Sequence, residues 1–590
     1  MSISVIKLTN RALVGNDISF EDINKLAYKV GYVVDPRCCT EAVRDYLNTR
    51  PTDYNSTFYK SWDKVANSSR FDIWIDQIKS YIANYVLNVQ YVPNKGSEQP
   101  EFTDLKVILP ITQEEVNEVC CSMLYSGIAL GEDTLNMILE VITDVDIEKV
   151  KNKEALVHLH KKFGTVPSDN VEFVRYLTFL ATGKTLLIKD KATWVALRGA
   201  TINLAELVTT FGNGNLDIGT KKLSEIFFRF KPIFLALRNT EENKVIVNSL
   251  DRLADKYHKP MKIGFFESIL SNPKLLADLP NRLKECSNYK KVLLLQTIMV
   301  RQKELEMQFF LVRNNKIWAK EKKVSSKNHY SVIYSIIYQS LVDSMSKKAC
   351  EIKLPKGINL ALPTSEKSYV GLFPIGTSFD LTDKDTILGI HRLKENAYGY
   401  LDFSLSSTNN DKIGWNAKFK DGEGKIMFSG DICDWSRSKE VTELYYCANG
   451  FKENYILKVN DYDKQGNIPF KFFIAQEAID TNSKRFKERN YMVDPNNIKF
   501  LIDLVIEGGE QSIGVITPKK LILAKFRTGN AEVAGVSITN RYAKYAEDIM
   551  DCYVNLEKVL TDAGFTINSG NEPDIDLTKL SKDTLISLLA

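Results

Sequence analysis

The sequence of 590 residues has no apolar stretch close to the roughly 20 residues that a bilayer-spanning helix needs. Its first ten residues carry Lys7 and no long apolar run, so they do not resemble a signal peptide. The nine cysteines are odd in number and irregularly spaced, and they form no CxxC or Cys/His cluster of zinc type. We therefore expect a cytoplasmic protein with reduced thiols and no membrane partner.

Sequence motifs of catalysis and nucleotide binding are also absent. The GxSxG pattern does not occur, and no local Ser/His/Asp arrangement stands out. The triplet Gly183-Lys184-Thr185 resembles the end of a phosphate-binding loop, but position 178 is Thr where that loop needs a glycine. These absences favour a non-enzymatic protein. An enzyme with a site at the junction of the helical and strand-rich parts, carrying no recognisable motif, stays open as an alternative.

The composition changes near residue 350. Of the 30 glycines, 18 fall in residues 351–590. The first 350 residues contain 48 Lys and Arg against 40 Asp and Glu, whereas the last 240 contain 30 against 34. A basic, glycine-poor part is thus followed by an acidic, glycine-rich part, which predicts an α+β multidomain protein.

Residues 1–350 show the spacing of an α-helical array. Apolar residues recur at three and four positions in Asn55–Leu87, and Asp169 is a plausible N-cap for a further helix. Pro232 interrupts a very apolar segment and predicts a kink there. The array is predicted as one region or as two subdomains with a break near residues 100–165.

Residues 351–530 alternate between apolar and polar residues in short segments, which is typical of an antiparallel β-sandwich or barrel. A long helix is predicted over Thr539–Asp562, within a region 531–564 that packs on the strands, and residues 565–590 are predicted as a flexible linker with a tethered amphipathic helix. That last helix either docks in a partner's groove or packs on its own chain. The predicted strands are Ile387–Ile390, Tyr400–Leu405, Lys425–Phe428, Asn454–Val459, Pro469–Ala475, Phe500–Glu507, Gln511–Thr517 and Lys520–Phe526.

Basic residues lie among aromatic residues at two places in the helical part. Such clusters can grip single-stranded nucleic acid through phosphates and stacked bases, although dense phenylalanines are more often core and lysines more often a solvated face. RNA binding is therefore an alternative hypothesis. Its candidate residues are Lys221, Lys222, Arg229, Lys231 and Arg238 near Phe228, and Lys316 and Lys320 beside Trp318.

Carboxylates at predicted strand ends, close to Gly and Ser, can gather oxygen ligands around a hard cation such as calcium. The candidate metal ligands are Asp402, Asp431 and Glu443. Gly-Asp turns are also common without any metal, so a purely structural role is the alternative.

The order of these strand motifs resembles the TerD family of tellurium-resistance and stress-response proteins. The resemblance covers about residues 352–530 and implies a β-sandwich that works in stress response or in phage–host conflict. It departs from the family pattern at Tyr400, Ile432, Arg437 and Lys439, each of which removes an oxygen ligand or adds a positive charge. The matching motifs are Leu388-Gly389-Ile390, Leu401-Asp402-Phe403-Ser404, Ser429-Gly430-Asp431, Glu443 and Lys471-Phe472-Phe473-Ile474.

From these patterns we expect a non-enzymatic intracellular binding or scaffold protein. The sandwich would be its TerD-like module, and the helices would form a surface for protein partners.

Overall fold

A computed structural model describes most of the chain, and the helices and strands below refer to that part. The chain forms two compact units, of which one comprises Met1–Gln113 and Lys290–Leu588 and the other Glu114–Tyr289 and Leu589–Ala590. Residue 350 marks the change from mostly helix to mostly strand, and the first unit contains residues from both sides of it. The described residues are 3–29, 32–49, 71, 75, 106–185, 191–261, 263–311, 317–321, 327, 329–393, 401–407, 412–414, 417, 425–430, 440–462, 466–479, 497–506, 509–527, 545, 548–567 and 573–590.

The first unit begins with a small α/β arrangement. Its three strands are parallel, in the order β1-β3-β2, and Ile108 of the central strand is buried in a core shared with Ile6, Val34 and Val43. The helical array predicted for residues 1–350 does not contain these strands; two of them have only three residues, and the third contains Pro110, which is unusual in a strand. The elements are α1 Ile3–Thr9, β1 Arg11–Leu13, α2 Phe20–Lys29, β2 Tyr32–Val34, α3 Glu41–Asn48 and β3 Lys106–Ile111.

The second unit is helical, as predicted. Asp169 caps the helix that follows it, accepting hydrogen bonds from the backbone N–H groups of Val171 and Glu172. Gly183 ends the same helix with a positive φ of 66°, so the loop-like Gly-Lys-Thr triplet begins with a helix C-cap. The helices are α4 Gln113–Tyr125, α5 Glu132–Val141, α6 Lys153–Phe163, α7 Asn170–Thr182, α8 Lys191–Gly199, α9 Leu204–Phe211, α10 Leu216–Ser224, α11 Phe227–Ala236, α12 Glu241–Tyr257, α13 Phe265–Ser271 and α14 Leu279–Lys284.

The predicted kink lies inside α11. Phe230 has non-helical dihedral angles (φ −119°, ψ 19°), two residues before Pro232. The ring of Pro232 clashes with the carbonyl group four residues earlier, that of Phe228, and Phe230 lies inside this distorted turn.

Two helices and a hairpin lead to the strand-rich part. They are α15 Asn288–Gln302, β4 Met307–Leu311, β5 Ile317–Glu321 and α16 Tyr330–Met345. Among the described residues, no helix combines the length and the apolar character needed to cross a membrane.

The strand-rich part contains two large antiparallel sheets. One has seven strands in the order β13-β12-β16-β19-β20-β10-β7, and the other has five in the order β14-β15-β11-β17-β18. All eight strands predicted from the sequence are present, with ends shifted by up to three residues. The strands are β6 Glu351–Lys353, β7 Ile358–Asn359, β8 Tyr369–Val370, β9 Phe373–Pro374, β10 Ser378–Asp380, β11 Asp385–Leu393, β12 Leu401–Ser407, β13 Lys412–Gly414, β14 Ile426–Phe428, β15 Glu440–Cys447, β16 Tyr455–Asp461, β17 Ile468–Glu477, β18 Ile498–Ile506, β19 Gly509–Ile516 and β20 Lys520–Phe526.

The two sheets contribute to one hydrophobic core. Leu388 and Ile390 of β11 and Phe403 and Leu405 of β12 belong to the same buried cluster, although their strands lie in different sheets. Since alternate residues of a strand point to opposite faces, His391 lies on the other face of its sheet from Ile390.

The predicted long helix over Thr539–Asp562 is not continuous. Met550–Cys552 is a short 3₁₀ helix, and Tyr553 is extended (φ −82°, ψ 132°). Asn555 then starts α17 Leu556–Asp562, because its side chain accepts a hydrogen bond from the N–H of Lys558. Residues 539–544 of the predicted helix lie outside the described part.

The C-terminal segment packs on its own chain. Its elements are β21 Thr566–Ile567, β22 Ile575–Asp576 and α18 Lys582–Leu589, and both strands pair in parallel with β6. Leu577, Leu585 and Ile586 are buried. Lys582 Nζ lies 3.0 Å from Glu366 Oε1. Of the two alternatives for this helix, the structure shows packing on its own chain, and Thr566–Ile567 is a strand where a linker was predicted.

Candidate functional site

Glu443, a predicted metal ligand, lies on β15 and is 1% exposed. Its Oε2 accepts a hydrogen bond of 2.9 Å from the backbone N–H of Phe403 on β12, in the other sheet. The hydroxyl of the neighbouring Tyr445 lies 2.7 Å from the carbonyl oxygen of Phe403. Burial, and to a smaller extent the Glu443 carboxylate, raises the pKa of Tyr445 well above its ordinary value. The carboxylate of Glu443 therefore links the two sheets.

Asp402, the second predicted ligand, lies on β12 between core residues Leu401 and Phe403. Strand alternation points its side chain away from that core. Its Oδ2 accepts a hydrogen bond of 3.1 Å from the amide of Asn460 on the neighbouring strand β16. Asp402 and Glu443 are thus held by different partners.

Asp431, the third predicted ligand, lies outside the described residues. Ser429, two residues before it, lies beside β15, where its Oγ accepts a hydrogen bond from the N–H of Leu444. Within the described part of the chain, no group of three or more His, Cys, Asp or Glu side chains could hold a metal ion. The calcium site stays a prediction.

A small cavity lies at the end of β11, where Arg392 is 3% exposed and Glu443 lines the same space. Its volume is about 10 Å³, counted as the space open to the centre of a water molecule. That is room for about one water, whereas substrate pockets usually measure about 300–1,000 Å³. The lining residues are Ile390, His391, Arg392, Leu401, Glu443 and Phe470.

A row of polar side chains, which we call the polar row, crosses the face of the five-stranded sheet that points away from the shared core. His391 lies directly opposite Thr442 on one side and Lys471 on the other, and Lys471 lies opposite Asp503. His391 Nδ1 is 3.2 Å from Thr442 Oγ1, and Lys471 Nζ donates a hydrogen bond of 3.0 Å to Asp503 Oδ1. Lys106 of β3 donates to the other oxygen of Asp503 at 3.2 Å. His391 and Lys471 are only 2% and 5% exposed.

This polar row contains the side-chain types that carry general acid–base chemistry. Local sequence reasoning missed it, because its members are 29 to 397 positions apart along the chain. The sequence does contain one signal of this row: several apolar strands each carry a single polar residue, and these residues lie on the same face of the sheet.

The basic candidates of the second unit lie on and after two consecutive helices. Lys221 and Lys222 lie in the last turn of α10, Arg229 and Lys231 on α11, and Arg238 just after α11. Lys222 Nζ is 4.7 Å from the ring centroid of Phe211 and faces the protein. Of the remaining candidates, Lys316 lies outside the described residues. Lys320 lies on β5, where its backbone pairs with that of Gln308, and its side chain lies outside the described part of the chain.

The phenylalanines among these basic residues divide into two groups. Phe227, Phe230 and Phe234 are buried in the core of the unit, as the structural interpretation of the cluster expected. Phe228 is different, because 41% of its side chain is exposed. Its ring centroid lies 5.0 Å from that of His258, and Lys231 Nζ is 5.5 Å from it.

A second contact of cations with a ring involves the partly exposed Tyr257. Lys221 Nζ and Lys256 Nζ are 4.9 Å and 5.3 Å from the ring centroid of Tyr257, the residue before His258. We call the surface formed by these six residues the basic aromatic surface: Lys221, Phe228, Lys231, Lys256, Tyr257 and His258. Sequence reasoning named Lys221, Lys231 and Phe228 but missed the other three, which come from the end of α12.

Comparison of the chain with protein-family models, curated proteins and solved structures gave no match. The resemblance to the TerD family therefore rests on the motif residues alone.

Proposed function

We propose that this chain is a non-enzymatic binding or scaffold protein whose partner binds at the basic aromatic surface of the second unit. The exposed ring of Phe228 carries this proposal. An aromatic ring that is two-fifths exposed, beside His258 and Lys231, leaves apolar area uncovered next to positive charge. Aromatic side chains, phenylalanine among them, are enriched in binding interfaces, so an exposed Phe228 ring is a candidate contact for a partner.

For the strand-rich part, we propose a TerD-like β-sandwich that serves as a module in stress response or phage–host conflict. Two observations support a sandwich: both sheets are antiparallel, and they contribute to one core. The family motifs also fall on adjoining strands, since β11, with Leu388-Gly389-Ile390, pairs with β15, with Glu443, and with β17, with Lys471–Ile474.

Site-specific photocrosslinking tests the partner surface. The photoreactive residue p-benzoylphenylalanine replaces Phe228 in one variant and Phe163 in a second, and each is made in cells and irradiated. Phe163 is a matched control, because it is 37% exposed on α6 of the same unit and Lys162 Nζ lies 5.9 Å from its ring. A defined adduct at position 228 and none at position 163 is the expected result. Equal adducts at both positions, or none, would contradict the proposed surface.

An enzymatic role is the second candidate, and the polar row of Thr442, His391, Lys471 and Asp503 favours it. Histidine and lysine are both among the side chains that act as general acids and bases, although structural networks also contain them. Substrate-panel turnover assays with the chain and with His391→Gln test this candidate. Turnover that the substitution abolishes, in a variant that still folds, would favour the enzyme over the scaffold.

A further inference from the structure

We infer that the partner of the basic aromatic surface is single-stranded RNA, with an unpaired base stacked on Phe228. This inference rests on the proposed function, because it names the partner class of the same surface.

The ring of Phe228 has the geometry of a stacking platform. Its neighbours Phe227 and Phe234 are fully buried, with ring centroids 5.4 Å apart, and hold the start of α11 on the core. The exposed ring therefore sits on a rigid support. Bases stack on such rings with little sequence preference, because every base has a π-face. A base inside a duplex offers no free face, so the ring favours single strands.

The cations around the rings favour a polyanion. Lys231 is paired with Asp251 at 3.3 Å, but both side chains are more than 40% exposed, so this ion pair is weak and a phosphate can replace Asp251. Lys221 and Lys256 lie against Tyr257 with no carboxylate partner among the described residues. Three ammonium groups thus lie within 6 Å of two partly accessible rings, and such a combination of positive charge and stacking faces is what single-strand binding uses.

The distribution of charge within the unit agrees with this choice. Residues 216–261, which contain the basic aromatic surface, have nine Lys and Arg against six Asp and Glu. Residues 114–185 have seven against twelve. A polyanion is therefore attracted to the first segment and repelled by the second.

Fluorescence anisotropy with labelled U20 RNA and the full chain tests the inference. We expect binding that weakens as salt rises, with a log–log slope near −2, because about three phosphates are neutralised and each contributes about −0.7 on a single strand. Phe228→Ala should weaken binding at least about fivefold, since one stacked base contributes about 1–3 kcal/mol. Phe228→Tyr, which keeps the ring, should bind like the unchanged chain.

The matched control is Phe163→Ala, which removes a phenylalanine of similar exposure, 37% against 41%, from the acidic segment and should leave the affinity unchanged. Circular dichroism confirms that each variant folds. Equal losses for Phe228→Ala and Phe163→Ala would overturn the inference. Equal affinity for duplex RNA or for polyglutamate would also overturn it, because charge alone would then explain binding.

Failure of this inference differs from failure of the proposed function. No binding of U20, together with a protein adduct at position 228 in the crosslinking experiment, removes RNA and keeps the binding surface. An RNase-sensitive adduct at position 228 supports both.

Discussion

Gly389 on β11 lies directly beneath the ring of Phe473 on β17, its cross-strand neighbour. A Cβ atom at position 389 would overlap ring atoms of Phe473, which is itself 1% exposed and has no open space to move into. Both residues belong to the motifs that resemble the TerD family. The pair gives a physical reason for a glycine in that motif: the Phe-rich strand places a ring where any other residue would carry a side chain.

Gly389→Ala should therefore lower the free energy of unfolding by about 1–3 kcal/mol, the usual cost of overpacking a core. Urea unfolding measures the loss. The control is Gly199→Ala at the end of α8, where nothing lies within 4 Å of the added Cβ, and this change should be neutral or slightly stabilising. Adding Phe473→Leu to Gly389→Ala should cost less than the sum of the single changes, because the smaller side chain leaves room for the methyl group. Full additivity would contradict the proposed overlap.

In the strand-rich part, some features could be predicted from the sequence and others could not. Eight strands could be predicted because each is a short segment rich in Ile, Val, Phe and Tyr between turn residues, a local signal that does not depend on distant contacts. The arrangement of these strands into two sheets could not be predicted, since it depends on cross-strand pairs such as Gly389 with Phe473, which are 84 positions apart. Within the site, the sequence predicts Glu443 as a metal ligand. Its hydrogen bond to the backbone of Phe403 could not be predicted, because nothing in the sequence indicates that β12 and β15 lie next to each other.

Local caps and breaks explain the other outcomes. Asp169 and Pro232 act through neighbours within four residues, so their effects could be predicted. The helix predicted over Thr539–Asp562 has the right apolar spacing, yet Asn555 caps a new helix inside it. An N-cap residue in the interior of a helical pattern is a stop signal that periodicity alone does not detect.

Glu443→Ala should lower the free energy of unfolding by about 1–3 kcal/mol, because it leaves the N–H of Phe403 buried without this acceptor. Glu443→Gln keeps a side-chain oxygen at the same place and should cost clearly less. Thermal or urea unfolding of both variants measures the difference. Equal losses would show that the charge of Glu443, rather than its contact with Phe403, stabilises the sheets.

Calcium binding stays a prediction, and the structure sharpens its test. Asp402 and Glu443 have different hydrogen-bond partners: Glu443 reaches from one sheet to the other, whereas Asp402 points away from the core that the sheets share. A single ion should therefore depend on at most one of them. The measurement is the melting temperature with millimolar calcium and with a chelator, for the unchanged chain, Asp402→Asn and Glu443→Gln. A calcium-dependent rise that disappears in both variants would contradict the placement described above.

Lys582→Met should lower the free energy of unfolding by about 1–3 kcal/mol. The substitution leaves the Glu366 carboxylate, 4% exposed, without this partner, and the loss is smaller than for a fully buried pair because Lys582 is 28% exposed. The control Lys579→Met, on the same segment, removes a lysine that is 62% exposed and 3.8 Å from its carboxylate partner, and should change stability by less than about 0.5 kcal/mol. Adding Glu366→Gln to Lys582→Met should recover part of the loss, and no recovery would argue against the ion pair as the cause.

The carboxyl group of Asp583, at the start of α18, should make the stability of the chain depend on pH. Burial raises the pKa of its carboxyl group, although a hydrogen bond from the Ser581 hydroxyl and the charge of Arg11 act in the opposite direction. A carboxyl group whose pKa is higher in the folded chain favours folding when it is protonated. Its contribution to stability is therefore fully present below the pKa of the unfolded chain, and it is lost as pH rises through the pKa of the folded chain.

Asp583→Asn removes this titration, so the variant should gain stability relative to the unchanged chain as pH rises from about 4 to 7. Urea unfolding at several pH values measures the difference between the two chains. A difference that stays constant across this range would show that the carboxyl group titrates alike in the folded and unfolded chains, and that its burial at the start of α18 does not affect folding.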